Sequence, residues 1–336
     1  MSESTERSIM SRPTRRSVMK GAAALAGIAA AGATGVRVFA ANGDPAGSDG
    51  GRGVNVLLAH GVWADGSSWS RVIPILQEHG HTVIALQLNL RSLAEDVAWT
   101  RHVLAERVAP GPTVLAGHSY GGAVISGAGA GAPAGRVIGL VFASAFAPDA
   151  GESLGRLGAM FPTPPALAHL QPDSQGFLWF DPAAFPTNFA QDLPLEQARV
   201  AAAAQRPGTA ALFTDVAGPA AWKTVPSWAL VSTQDRAINP DLLRFMARRA
   251  KAKTIEVASS HASILSHPRE VAALILAAAR RRRMTTATVQ SKDIGRAGAV
   301  GWTAPAGFFM ANHWPPRGPS DTAGRSPGEP PFTNLL

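Results

Sequence analysis

The sequence predicts an α/β fold: a mainly parallel sheet of about six strands with helices on both faces and a small helical cap. Three observations carry this. Short apolar runs of strand length alternate with helix-patterned segments between residues 54 and 283, the rhythm of repeated strand–helix–strand units. The first of these runs, Val54–Leu58, is continuously apolar, which suits a parallel strand covered on both faces. The rhythm breaks once, between about 148 and 225, where prolines gather with aromatics including Phe161, Phe177, Trp179, Phe180 and Phe185. A structureless loop of that length is rare inside a compact domain, so this section reads as a cap inserted over one end of the sheet.

In chain order, Thr14-Arg15-Arg16-Ser17-Val18-Met19-Lys20 precedes the uncharged, Ala- and Gly-rich run Gly21–Val36, and Val38-Phe39-Ala40 then offers small residues to a signal peptidase. Charged, apolar and small-residue regions in that order make a secretory signal. The paired arginines resemble a twin-arginine signal, so the export machinery for folded proteins is the expected partner of the precursor. The apolar run has 16 residues, short of the ~20 that a spanning helix needs. Cleavage after Ala40 and a periplasmic or extracellular product are expected. Residues 41–53 form a Gly/Asp-rich flexible linker. The domain then runs from 54 to 283. Val54–Leu58 is its first strand, and Ser68–His79 a helix with Trp69, Val72, Ile73 and Leu76 at helical spacing. Thr82–Leu86 is the second strand, and Leu93–Val108 a helix broken by Pro110-Gly111-Pro112. Thr113–Ala116 and Val137–Ala143 are strands around a Gly-rich helix. After the cap come the strand Ser227–Ser232, a helix over Pro240–Ala250, the strand Thr254–Val257 and a last helix Pro268–Arg282. Residues 284–336, with seven prolines and little apolar periodicity, read as a disordered tail.

Composition excludes several classes. The formal net charge of +8 arises entirely from the ends: residues 1–40 carry 6 basic and 2 acidic side chains, 281–336 carry 7 and 3, and 41–280 carry 18 of each. A nucleic-acid face needs Lys and Arg clustered on the folded part, so nucleic acid is not an expected partner. The chain has no cysteine, which removes disulfides, thiolate metal sites and a Cys nucleophile. No metal or organic cofactor is expected.

Gly117-His118-Ser119-Tyr120-Gly121 follows the third strand and opens a helix. This is the G-x-S-x-G elbow in the strand–turn–helix context that makes it meaningful. Glycines two before and two after let the chain turn tightly enough to lift the Ser119 hydroxyl to the start of a helix, where developing negative charge is favoured. A serine hydroxyl needs a base near neutral pH, and histidine is suited to that. His261 follows the strand ending at Val257, and Asp235 follows the strand ending at Ser232; both belong at the same sheet edge as Ser119. Asp235 would orient the imidazole of His261. His79 and His81 flank a turn, His118 points away from the cleft, and His267 precedes the last helix. Asp149 and Asp241 compete with Asp235, the latter as an ordinary helix cap. The backbone N–H groups of Tyr120 and of Val62, in the loop after the first strand, are the candidate oxyanion donors. Trp63, Phe146 and Trp179 are candidate pocket residues.

Together these residues resemble the plant-type methylesterase and hydroxynitrile-lyase branch of the α/β-hydrolases, and small bacterial esterases similar to it. The match runs from His60-Gly61 through Gly117–Gly122, Phe142–Asp149 and Asp235-Arg236-Ala237-Ile238 to Ser260-His261. The resemblance implies the α/β-hydrolase fold, a Ser119–Asp235–His261 triad, a helical cap and a small ester as substrate. Cyanohydrin-cleaving members carry a lysine directly after the triad histidine and a threonine in the oxyanion loop. This chain has Ala262 and Val62-Trp63 there, which points to the hydrolytic side. Perhydrolase or lyase chemistry on the same residues, and a non-catalytic ligand receptor, are the alternatives.

Overall fold

The computed structural model describes residues 53–293, with side chains to Arg280. The expected signal over 1–40, nearly all of the linker over 41–53, and the tail beyond 293 lie outside the described residues.

Six parallel strands form the central sheet: β1 (Asn55–Ala59), β2 (Thr82–Ala85), β3 (Thr113–His118), β4 (Val137–Ala143), and, beyond the cap, two more over Ser227–Ser232 and Lys253–Val257. Their order places β1 between β2 and β3, with β4 and the last two following outward. The period-2 geometry of a strand sends successive side chains to opposite faces. Leu57, Leu115, Leu140 and Phe142 therefore enter the core on one face, while Val56, Leu58, Val114, Val141 and Trp228 enter the core on the other. With both faces covered, the central strands β1, β3 and β4 are mostly apolar.

Three helices connect the first four strands: α1 (Ile73–Glu78), α2 (Leu93–Glu106) and α3 (Gly121–Ala130). The helix expected over 68–79 is divided. Gly66–Trp69 is a 3-10 turn, because Asp65 caps it by accepting the Ser67 N–H, and α1 begins only after Val72. Ser92 caps α2 by accepting the Glu95 N–H, satisfying one of the unpaired first-turn donors.

The section over 148–225 contains four short helices, α4 (Leu154–Gly158), α5 (Phe185–Asn188), α6 (Leu195–Ala203) and α7 (Ala211–Thr214), and also a three-stranded antiparallel sheet. Its strands are β5 (Leu170–Pro172), β6 (Phe177–Phe180) and β7 (Gly208–Thr209). The expected helical cap therefore also carries a small antiparallel sheet. Phe177-Leu178-Trp179-Phe180 is a bulky run that suits a pleated surface, and Asp173 folds the preceding turn by accepting the Gln175 and Phe177 amides.

The strand β8 (Ser227–Ser232), helix α8 (Pro240–Arg249), strand β9 (Lys253–Val257), the turn of helix α9 (Ser263–Ser266) and helix α10 (Pro268–Asp293) complete the fold. Helix α10 continues past Arg283 to Asp293, so the segment expected to lack regular structure begins as helix. No proline occurs there before Pro305, and most residues up to Asp293 tolerate a helix. Among the described residues no helix is long and apolar enough to cross a membrane.

Candidate active site

Ser119 occupies the turn between β3 and α3 with φ of +54°, the left-handed region that costs a non-glycine residue roughly 1–3 kcal/mol. The surrounding backbone compels this turn. A Cβ on Gly117 would strike the backbone of Gly121, and one on Gly121 would meet the carbonyls of Ala59 and His60. From below, the Ser119 carbonyl accepts the N–H of Phe146 at 3.0 Å and of Gly122 at 3.1 Å. Gly61 passes the hydroxyl so closely that a Cβ there would lie 3.2 Å from Ser119 Oγ.

Asp235 leaves the carboxyl end of β8, and His261 that of β9. His261 Nδ1–H donates to Asp235 Oδ2 at 2.7 Å, with both side chains sealed from solvent. The other carboxylate oxygen accepts the Ala237 and Ile238 amides at 2.8 and 2.9 Å. Asp235 thus accepts three hydrogen bonds, one from His261 and two from backbone amides. His261 Nε2 is buried and has no protein partner. Ser119 Oγ makes no hydrogen bond to it in this structure. The two rival acids are occupied elsewhere. Asp149 pairs with Lys223 at 2.7 Å and Asp241 with Arg244 at 2.8 Å, and Asn239, not Asp241, caps α8.

The expected oxyanion donors lie where their backbone is free. Among the described residues neither the Val62 nor the Tyr120 N–H donates to a protein acceptor, although their neighbours do. Trp63, at φ +59°, donates its amide to Arg206 O at 2.9 Å and its indole to Leu178 O at 2.8 Å, tying this loop to the cap. Its ring meets Phe180 and Phe189 edge-on. Phe146 contributes its backbone to the elbow and buries its ring in the core. Trp179 is corrected as a pocket residue: it is 41% exposed and bonds Asp173. Strand alternation turns its neighbour Phe180 inward instead.

Several side chains take supporting places that local sequence does not specify. Two histidines are held neutral. His118 Nε2–H donates to the backbone carbonyl of His261 at 2.8 Å, and burial pushes its pKa down to about 3. His60 Nδ1–H donates to Gly61 O while Nε2 accepts the Leu88 N–H, and burial pushes it to about 4. Tyr120, the chain's single tyrosine, donates its hydroxyl to Asp96 at 2.8 Å. Burial raises the Asp96 carboxyl, which also accepts the Asn89 amide.

Four buried serines form a hydroxyl chain at the sheet edge. Ser144 meets Ser232 at 2.6 Å and Ser263 at 2.8 Å, and Ser232 meets Ser259 at 2.7 Å. The cap adds a strap: the Ala262 amide donates to Phe189 O, the Ser260 amide to Asp192, and the Gln191 side chain to Gln234 O. Beside this centre opens a cavity of about 460 Å³, walled by Trp63, His118, Phe185, Phe189, Leu193 and Ala262; Ser119 and His261 are not among its walls.

The sequence profile of the alpha/beta hydrolase family matches residues 56–274. No curated protein matches the chain. Among solved structures, polyneuridine aldehyde esterase is similar at 21% identity and a TM-score of 0.58, covering 67% of this chain and 98% of its own. A pyrethroid hydrolase from Sphingobium faniae JZ-2 is similar at 22% identity and a TM-score of 0.57, covering 68% and 98%. A methylesterase from Arabidopsis is similar at 16% identity and a TM-score of 0.55, covering 67% and 98%. At these identities the likeness is one of fold.

Proposed function

Since the chain belongs to the alpha/beta hydrolase family, we propose that it is a serine esterase acting on a small, apolar ester, with Ser119, His261 and Asp235 as its triad. The observation that carries this is the sealed 2.7 Å bond from His261 Nδ1 to Asp235, which leaves a buried, unpartnered Nε2 in a chain whose elbow serine is strained. A buried imidazole nitrogen without a partner is costly unless it has a reacting group to serve.

In the proposed reaction Ser119 Oγ turns toward Nε2 and attacks the ester carbonyl, while Nε2 takes its proton. Catalytic hydrogen bonds are often unformed before substrate arrives. The free Val62 and Tyr120 amides receive the oxyanion. The imidazolium, stabilised by Asp235, returns the proton to the departing alcohol. Water then repeats the sequence on the acyl-enzyme. That esterases stand among the structural relatives supports this reading. The precursor, with Arg15-Arg16 and the apolar run after them, is proposed to be exported and cleaved near Ala40.

The test is covalent labelling by a fluorophosphonate together with turnover of a panel of small esters. Labelling and turnover that vanish in Ser119→Ala support the esterase. A folded protein that takes no label and hydrolyses no ester would overturn it and leave a ligand receptor; peroxide-dependent products would indicate a perhydrolase.

A further inference from the structure

We infer that Asp96 is a positioning residue for the oxyanion hole: by gripping the Tyr120 hydroxyl it holds the Tyr120 amide in place. The inference rests on the proposed esterase reading and adds to it a residue outside the triad. An oxyanion donor is useful only if it is already aimed where charge will form. Its N–H must nevertheless stay free for the substrate. The peptide joining Ser119 to Tyr120 meets both demands. Its carbonyl edge is pinned, since Ser119 O accepts the Phe146 and Gly122 amides. Its N–H edge has no hydrogen bond among the described residues. Tyr120 occupies the N-cap position of α3, where no side chain caps the helix either. What remains to fix that edge is the Tyr120 side chain. Its ring is buried, and its hydroxyl donates to Asp96 Oδ2 at 2.8 Å.

The pair is also more polar than packing requires. Asp96, on α2, is fully buried and meets no cation among the described residues. Burying a carboxyl group without a counter-charge is costly, and apolar side chains of similar volume would avoid that cost. Three donors meet it instead. Oδ1 accepts the Asn89 amide at 2.7 Å, while Oδ2 accepts the phenol and the Leu90 amide, the latter at 3.2 Å. Burial, and then the neighbouring Asp96, raise the pKa of the phenol, so it stays a donor. The turn that Asp96 grips is itself held firmly. Leu90 has a φ of +58°, a left-handed conformation that persists only where the surroundings over-determine it. Its carbonyl accepts the Thr209 amide from β7 at 3.0 Å. Leu88 donates its amide to His60 Nε2 at 3.0 Å, and His60 Nδ1–H donates to the carbonyl of Gly61, which precedes Val62. Asp96 therefore ties Tyr120 to a frame that also bears on the loop of the second oxyanion donor.

The experiment compares wild type, Tyr120→Phe, Asp96→Leu and the double variant, with folding checked by circular dichroism. For each it measures kcat and KM on a small ester, and the affinity of a trifluoromethyl ketone that mimics the tetrahedral oxyanion. Removing an oxyanion donor outright costs on the order of 10²–10³ in kcat, so its misplacement in Tyr120→Phe should cost about 10-fold. KM should stay within about threefold, because the interaction is made only in the transition state. Affinity for the ketone should fall by the same factor as kcat/KM. Fluorophosphonate should still label the variant, showing the nucleophile in place. The double variant should turn over no more slowly than Asp96→Leu alone, since Asp96 acts through the Tyr120 hydroxyl. Should Asp96→Leu fail to fold, Tyr120→Phe decides alone. A Tyr120→Phe enzyme with kcat and ketone affinity within about twofold of wild type shows a merely structural pair and overturns the inference. Fully additive losses in the double variant overturn it too, and both results leave the esterase reading intact. A wild type that takes no label and hydrolyses no ester overturns both.

Discussion

At the scale of single residues, the candidate site mixes paired polar atoms with uncommitted ones: His261 Nε2, His118 Nδ1, the Ser119 hydroxyl and the Val62 and Tyr120 amides have no protein partner among the described residues. Asp235 accepts three hydrogen bonds, one from His261 and two from backbone amides. Asp235→Asn would present an amide to Nδ1 and favour the wrong imidazole tautomer, so kcat should fall on the order of 10³–10⁴ with little change in fold. Steady-state kinetics alongside circular dichroism would check this; a drop below tenfold would remove Asp235 from its role. His118 acts through the backbone of His261, by its 2.8 Å bond to that carbonyl. His118→Leu should lower kcat more than it raises KM, because it loosens the base rather than the substrate. The elbow motif itself marked Ser119, and strand-end position marked His261 and Asp235. Position alone could not show that His118 bonds the base loop, since that contact joins residues far apart in the chain.

At the scale of elements, the ends of β4, β8 and β9 are joined through hydroxyls. The Ser144–Ser232–Ser259 run and its branch to Ser263 link the strand below the elbow, the strand that carries Asp235, and the two sides of His261. All four are fully buried, and a buried hydroxyl deprived of its partner costs about 1–3 kcal/mol. Ser232→Ala leaves the Ser259 hydroxyl without its partner, while Ser144 keeps its bond to Ser263, and should lower unfolding free energy by about that amount in urea titration. The double variant Ser144→Ala with Ser232→Ala should cost less than the sum of the singles, because the shared bond is lost only once. Serine in these positions has no pattern of its own in the sequence. The strands were legible because their apolar runs are short and bounded, whereas the split of α1 and the cap sheet were not. Both depend on side-chain capping by Asp65 and Asp173, which competes locally with helix.

At the scale of the whole described unit, two buried neutral imidazoles make stability depend on acid. His118 and His60 have folded values of about 3 and 4, against 6.5 in an exposed histidine. The unfolded chain binds more protons between those limits, so these groups leave stability undiminished above about pH 6.5 and erode it as pH falls toward 3–4. The slope is at most about 1.4 kcal/mol per pH unit for each. Urea unfolding at pH 7, 5.5 and 4.5 should show this decline, and His60→Gln should flatten it even if the variant is less stable at neutral pH. A stability independent of pH across that range would contradict the buried neutral assignment.

The sequence by itself determined the α/β class, six strands in their places, and the elbow that carries Ser119. These follow from local periodicity and from the narrow stereochemistry of a strand–turn–helix elbow. Tertiary structure alone decided which aromatic faces inward at 179–180, which acid bonds His261, how the cap grips the loop that carries His261, and where a cavity remains. Those outcomes arise from contacts between segments distant along the chain. Their energies depend on which buried donors and acceptors find partners, and no local pattern encodes that.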